Sequence, residues 1–369
     1  MRVERLSAEG FRNLAAEEIR PAPGVNILYG DNAQGKTNVL EALWLFTGGR
    51  SFRGAKDREL IAFGADKAAC RMAFFAQERG QQAEIIVEGR RRALLNGIPQ
   101  ASPAKLAGVF CAVVFSPAHL SLIKDGPEER RRFLDAAYCQ LRPGYIQTLA
   151  EYSRALAQRN SLLRQLRETG GDPGLLDIWD QRLASSGARI RAARAAFVVR
   201  LDRETRRIYD GLSAGREQMT LSYLAQTQET VSADARERAH ALLLELAARR
   251  DADRAAGFTT AGPHRDDLEV LIDGRAARAF GSQGQQRSAV LALKLAEAAV
   301  LQEVTGEQPV ALLDDVMSEL DVRRQDYILN HIHDWQVFIT CCDPSAVLRL
   351  TGGRVFHIQG GAVIREDGE

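Results

Sequence analysis

The stretch Gly30 to Thr37 reads GDNAQGKT and satisfies G-x-x-x-x-G-K-[ST], the phosphate-loop pattern. Such a loop works only between a buried strand and a helix, so it dictates an α/β fold around itself. Val25-Asn26-Ile27-Leu28-Tyr29 before it is an apolar run of strand length. After it, Asn38 to Phe46 has helical spacing, with Val39, Leu43 and Phe46 on one face. In that setting glycines let backbone N–H groups close round a polyphosphate at the positive end of a helix dipole. Gly30, Asp31, Asn32, Ala33, Gln34, Gly35, Lys36 and Thr37 are therefore candidate phosphate-binding residues. Lys36 is placed to reach the β- and γ-phosphates, and the Thr37 hydroxyl to sit on Mg²⁺.

A second motif supplies the carboxylates. Val310-Ala311-Leu312-Leu313 is an apolar strand ending in Asp314-Asp315. Alone, such an ending signals a turn. Paired with a phosphate loop it is the Walker-B arrangement, in which Asp314 holds Mg²⁺ through water and Asp315 orients the attacking water. Lys36 and Asp314 stand 278 positions apart, so most of the chain lies between two elements that must meet. An inserted domain projecting from a core closed by the two chain ends resolves this. A third element, Ser282-Gln283-Gly284-Gln285-Gln286-Arg287, carries an S-x-x-Q capping box with Ser282 as N-cap. It reads either as an ordinary helix start or, with Gly281 and Gly284 baring the backbone, as an anion site. The first turns of two helices in one monomer cannot easily hold one nucleotide. A composite site across two subunits can.

Residues 1 to about 120 are strand-rich and suggest a mixed sheet around the loop with an antiparallel flank. From Pro127 to about residue 250 the pattern is helical and Arg-rich. Tyr145, Leu149, Tyr152, Leu156, Leu163 and Leu166 form a heptad seam, broken by Thr169 to Gly174. Leu183, Ile190, Phe197, Leu201 and Ile208 continue beyond the break. The expectation is a helical hairpin with arms of ~25 residues, roughly 37 Å each. Two amphipathic helices packed on a globular body are the alternative. From Gly257 the α/β character returns. The expected division is residues 1–125, an inserted helical lobe at 126–256, and 257–369.

The net charge of +1 leaves no whole-protein attraction to nucleic acid, so any contact with DNA needs a local patch. Only six of the 49 basic residues are Lys, which weakens Arg clusters as a signal. Arg130-Arg131-Arg132 and the series Arg189, Arg191, Arg194, Arg200, Arg203, Arg206 and Arg207 read either as phosphate contacts or as a solvated helix surface. His264 and Arg265 either sense nucleotide or pair with Asp266 and Asp267. His331, His333 and Asp334 read as a surface helix end more readily than as a metal set. Five cysteines without C-x-x-C spacing argue against a disulfide framework or zinc site, and Cys341-Cys342 is expected to pack beside the sheet. No signal-type h-region and no apolar run of ~18 residues is present, so a cytoplasmic, reduced protein with no membrane partner is expected.

The order GDNAQGKT, SQGQQR, LLDDVMSELD resembles the ABC-type ATPases of the SMC group, and more closely the RecF recombination-mediator family. Gly10-Phe11-Arg12-Asn13, Val114-Phe115-Ser116-Pro117, Arg131 to Asp135 and Gly262 to Asp267 extend the match over essentially the whole chain. The resemblance implies an ATP-dependent homodimer that clamps double-stranded and gapped DNA, with weak DNA-dependent ATPase activity. It implies work with RecO and RecR in loading the RecA recombinase, in fork recovery and in the SOS response. By the same carry-over, Ser282, Gly284 and Gln285 form the signature motif, Ser282 and Gly284 contacting γ-phosphate from the partner subunit. Ser318-Glu319-Leu320-Asp321 is the D-loop at the dimer seam. Three features depart from most ABC-type ATPases: Asp315 where Glu is usual, no switch histidine after Ile339, and Ser116-Pro117 where transporters carry Gln. They imply an ATP-gated switch with slow turnover. Two other readings stay open: the ATPase subunit of a membrane transporter, and a non-catalytic scaffold in which ATP is structural.

Overall fold

The structure, a computed structural model, describes residues 1–16, 18–225, 234–345, 347–348 and 352–367. The chain opens with β1 (Arg2–Glu9), β2 (Glu18–Ile19), β3 (Val25–Tyr29) and α1 (Lys36–Leu45). Then come β4 (Ala68–Ala76), β5 (Arg79–Glu88), β6 (Arg90–Leu95), β7 (Ile98–Pro99) and β8 (Ala112–Phe115). Helices α2 (Ser121–Lys124), α3 (Pro127–Leu141), α4 (Tyr145–Thr169) and α5 (Leu176–Ser213) follow. After β9 (Met219–Leu224) come α6 (Ala235–Ala248) and α7 (Arg250–Ala256). Strands β10 (Asp267–Ile272) and β11 (Arg275–Ala276) lead through α8 (Ala277–Phe280) into α9 (Gln283–Thr305). The last described elements are β12 (Val310–Asp314), α10 (Val322–His331), β13 (Val337–Cys341), β14 (Arg354–Gln359) and β15 (Ala362–Asp367). Two compact units share these elements. One comprises residues 1–120, 207–216 and 287–369; the other comprises 121–206 and 217–286.

The first unit holds two six-stranded sheets. One runs β15-β14-β3-β13-β12-β8 and is parallel except for the β14–β15 hairpin. Its inner strands are buried on both faces, which is why β12 and β13 read as unbroken apolar runs. The other runs β2-β1-β4-β5-β6-β7 and is antiparallel throughout. The antiparallel flank is thus a separate sheet. Both edges of β3 are taken by β13 and β14, and the alternating burial of β4 marks a sheet with one wet face. Val39, Leu43 and Phe46 of the α1 segment share one apolar cluster with Leu28, Leu312 and Phe338 of the parallel sheet and Met72, Phe74 and Ile85 of the antiparallel one. The helix after the phosphate loop is therefore held by both sheets.

The break at Thr169–Gly174 separates α4 from α5, whose last residues from Arg207 belong to the first unit; in the second unit Tyr145, Tyr152, Leu163, Leu166, Leu183, Ile190, Phe197 and Leu201 of the heptad series are buried, whereas Leu149 and Leu156 are half-buried. The second arm is longer than expected. No Pro interrupts α5, whose 38 residues span roughly 57 Å at 1.5 Å rise per residue. The pair is also no bare coiled coil: Tyr152, Leu183 and Ile190 pack with Leu242 and Leu246 of α6 and with Ala261. Arg159, fully buried, bonds Asp180 at 2.6 Å, Asp253 at 2.5 Å and Thr259 at 2.9 Å. Helices packed within a globular lobe describe this hairpin.

The expectation of a helical pattern to about residue 250 needs correction, because Met219–Leu224 is a strand. It pairs antiparallel with β10 from Met219 opposite Ile272 to Leu224 opposite Asp267. That partner lies about 50 residues downstream, beyond the reach of local periodicity. The pairing draws residues 257–286 into the helical unit, so the chain's return to α/β character at Gly257 and the unit boundary at Arg287 are different points.

Candidate nucleotide-binding site

Parallel register brings the two distant motifs together. Strand β13 lies between β3 and β12, with Thr340 opposite both Leu28 and Asp314. The carboxyl ends of all three strands therefore lie at one edge, where open parallel sheets bind ligands. Thr37 Oγ1 donates to Asp314 Oδ1 at 2.7 Å, and Thr340 Oγ1 donates to the same oxygen at 3.0 Å. Burial holds the Asp314 carboxyl above the ordinary carboxylate range, opposed by the Thr37 and Thr340 hydroxyls. This hydroxyl-plus-carboxylate set is the oxygen chemistry that suits a hard divalent cation.

Asp315 has φ of 53°, a left-handed conformation that costs a non-glycine residue energy. Its N–H donates to Thr340 Oγ1 at 2.9 Å, and its carbonyl accepts from Ser318 Oγ at 2.9 Å. These two bonds pin the strained peptide. Asp315 lines a cavity of about 490 Å³ with Asn32, Ser318, Glu319, Cys341 and Cys342. The Asp315 carboxylate thus shares that cavity with Asn32 of the phosphate loop.

The loop itself is tightly sculpted. Gly30 has φ of 148°, and a Cβ there would sit 2.3 Å from the carbonyl oxygen of Ile358. Gly35 has φ of 113°, and its Cβ would meet Asn13 Oδ1 at 2.9 Å. Lys36 is 5% exposed, and its ammonium bridges the carbonyls of Gly30 at 2.6 Å and Asp31 at 2.9 Å. From outside, Asn13 Nδ2 donates to the carbonyl of Ala33 at 3.2 Å. The β14–β15 turn closes the other side: Gly361 N donates to the carbonyl of Gln34 at 2.9 Å, and Gly360 N to its Oε1 at 2.6 Å. Arg12 grips the buried Glu41 of α1 with two bonds of 2.9 and 3.0 Å, and Ser51 Oγ donates to the same carboxylate.

Sequence reasoning missed several of these supports. Thr340 carried no signal, because its role depends on the strand order. Arg53, which donates to Asn38 Oδ1 at 3.0 Å and lies 3.8 Å from Glu41, looked like one Arg among many. Gly360-Gly361 carries only a turn signal in sequence, and its contact with Gln34 depends on the fold.

The structure places Ser282, Gly284 and Gln285 at the first turn of α9, in the second unit. The capping box is formed: Gln285 N donates to Ser282 Oγ at 3.2 Å, and Ser282 N to Gln285 Oε1 at 2.8 Å. Ser282 remains exposed. Further along α9, within the first unit, Arg287 Nη1 donates to the carbonyl of Glu319 at 3.2 Å. The segment Ser318–Asp321 ends as a helix cap, Asp321 Oδ1 accepting from Arg324 N at 3.0 Å, and this bond holds its carboxyl below the usual range.

Several arginines weighed as phosphate contacts are engaged internally. Arg130 forks onto Asp267 at 2.7 and 2.9 Å. Arg191 is buried between Asp266 and Glu245, and Arg194 against Asp135. Arg189 stays exposed, paired with Glu151 at 2.7 Å, and Arg200 and Arg207 are exposed as well. His264 pairs with neither neighbouring aspartate. Its Nε2 lies 3.1 Å from the carbonyl of Thr259, so that nitrogen carries the proton and Nδ1 accepts from Tyr152 Oη at 2.7 Å. Burial pushes its pKa down to about 4. Arg265 lies over Phe258 and donates to the Thr259 carbonyl. Cys341 is half-buried, whereas Cys342 is exposed and does not pack beside the sheet.

Among the described residues, no helix is long and apolar enough to cross a membrane. The family model described as RecF/RecN/SMC N terminal domain matches residues 2–352. The DNA replication and repair protein RecF of Acetivibrio thermocellus is 39% identical over 97% of this chain and 100% of its own. A solved structure of the recombination mediator protein RecF-ATP in the RecFOR pathway superposes with a TM-score of 0.91 at 36% identity, covering 99% of this chain and 97% of that one. The Smc head domain from Pyrococcus furiosus, at 16% identity and a TM-score of 0.54 over 98% of this chain and 95% of its own, shares the fold. On this fold, these motifs and these full-length likenesses, the chain belongs to the RecF family of DNA replication and repair proteins, built on an ABC-type ATPase head.

Proposed function

We propose that this chain is an ATP-gated DNA clamp of recombinational repair: ATP closes a homodimer on DNA and slow hydrolysis reopens it. The observation that carries the reading is the junction at Asp314, where Thr37 of the phosphate loop and Thr340 of β13 converge on one carboxylate. Gly30 to Thr37 would cradle the phosphates, with Lys36 trading its two loop carbonyls for phosphate oxygens. Thr37 and Asp314 would hold Mg²⁺, which supplies charge neutralisation at the β- and γ-phosphates. Asp315 would orient the attacking water. Its side chain is one methylene shorter than the usual Glu, which favours slow turnover. Ser282 and Gly284 of the partner subunit would complete the site, consistent with the exposed, fully formed capping box at that helix start. Duplex and gapped DNA would be the substrate surface, and RecO and RecR the partners, in keeping with the RecFOR description of the solved relative.

Light scattering of the purified chain with ATP, with ADP and without nucleotide tests the closure step. The expected result is a dimer with ATP only, abolished in Lys36→Ala and in Ser282→Arg. A chain that stays monomeric at saturating ATP would overturn the reading.

A further inference from the structure

Strand β9 begins two residues after Glu217, and its start is locked to the end of β10. Gln218 N donates to Asp273 Oδ1 at 2.9 Å, and Asp273 N donates to the Gln218 carbonyl at 2.9 Å. The third strand of that sheet, β11, runs through α8 into the first turn of α9. Glu217 and the signature motif are therefore carried by one sheet of the second unit. The half-buried Glu217 carboxylate accepts from Gln285 Nε2 at 3.0 Å, and the other end of that amide, Oε1, accepts from Ser282 N at 2.8 Å. The two contacts are not independent. An ionised carboxylate only accepts and a backbone N–H only donates, so the Gln285 amide satisfies both in one orientation alone. Turned over, it would set its NH2 against the Ser282 N–H and its oxygen against the carboxylate. Glu217 thus decides which end of the amide faces Ser282. The exposed Ser282 hydroxyl in turn accepts from Gln285 N at 3.2 Å and so offers its own proton to a phosphate oxygen.

We propose that Glu217 is a positioning residue for the signature motif: by fixing the Gln285 amide it holds Ser282 in the geometry that meets the partner subunit's nucleotide. The inference rests on the composite-site reading above. Glu217 touches no phosphate itself and acts only through Gln285. What it supplies is an acceptor at a fixed place, so the chemistry that matters is acceptor against donor, with net charge secondary.

The test compares the full-length parent with Glu217→Gln, Glu217→Ala and Glu217→Lys in three measurements. These are affinity of the monomeric chain for a fluorescent ATP analogue, the ATP-dependent dimer by light scattering, and amide hydrogen exchange over residues 281–285 without nucleotide. Analogue affinity should match the parent in all three variants, because the phosphate loop is untouched. Glu217→Gln keeps an acceptor for Gln285 Nε2 and should dimerise as the parent does. Glu217→Ala removes the acceptor and should raise the dimer dissociation constant by about tenfold. Glu217→Lys presents only donors, turns the amide over and should raise it further. Exchange of the Ser282 amide should quicken in the same order. Ala and Lys variants that dimerise like the parent, a Gln variant as impaired as Ala, or exchange unchanged across the series would each overturn the proposal. Lost analogue affinity would make Glu217 a support of the fold at large and would overturn it too. A parent that stays monomeric with ATP would instead count against the composite site, and the exchange order would still decide whether Glu217 sets the amide.

Discussion

Replacing Thr340 with Val keeps the side-chain shape and removes one hydroxyl. That hydroxyl is fully buried, donates to Asp314 at 3.0 Å and accepts from the Asp315 amide at 2.9 Å. A hydrogen bond to a charged group contributes ~1.5–3 kcal/mol, and a buried N–H left unpaired costs ~1–3 kcal/mol. Asp314 keeps Thr37 as a donor, so the net loss should be about 2–4 kcal/mol. The functional effect should exceed the structural one. The left-handed Asp315 peptide loses one of its two pins, and under the role proposed for Asp315 a displacement near 1 Å of its carboxylate costs about 100-fold in rate. Nucleotide affinity should fall far less, because the phosphate loop keeps its own supports from Asn13 and the Gly360-Gly361 turn. Urea melts, analogue binding and single-turnover hydrolysis measure the three quantities, with Thr340→Ser as the control that restores the hydroxyl. A Val variant within ~0.5 kcal/mol of the parent, or a Ser variant as impaired as Val, would refute this account of Thr340.

Gly30→Ala places a Cβ 2.3 Å from the Ile358 carbonyl at a φ of 148°, so ATP affinity should drop by at least about tenfold in an equilibrium binding assay. Arg159→Ala takes a buried guanidinium from Asp180, which keeps Arg250, and from Asp253, which keeps the Thr260 N–H and hydroxyl, and should cost about 3 kcal/mol in a urea melt, whereas Arg189→Ala, losing an exposed pair, should stay within ~0.5 kcal/mol. His264 has a folded pKa near 4 against an ordinary 6.5, so the unfolded chain binds its proton first as pH falls. Its contribution is intact above pH 6.5 and is lost between 6.5 and about 4; His264→Gln should show a flatter stability profile across that window in pH-dependent thermal melts.

The motifs of the nucleotide site were legible because each is local. A glycine pattern, an apolar run ending in Asp314-Asp315 and a capping box at Ser282 need only a few adjacent residues. What joins them was not legible, since Thr340 matters only once β13 is known to lie between β3 and β12. The same holds for β9, whose partner strand lies far along the chain, and for Gly360-Gly361, whose turn meets Gln34 across more than 300 positions. Arginine was the least readable residue type. Arg191 and Arg189, two positions apart on α5, looked alike in sequence, yet one is a buried ion-pair centre and the other a solvated surface group. Only packing distinguishes them.

The central claim is that ATP gates DNA contact. It is tested most directly by fluorescence anisotropy of a labelled duplex at fixed salt, because phosphate-dominated affinity changes steeply with ionic strength. Three arms suffice: the protein with ATP, the protein with ADP, and Lys36→Ala with ATP. The account predicts tight binding in the first arm only. Equal binding in all three would contradict it.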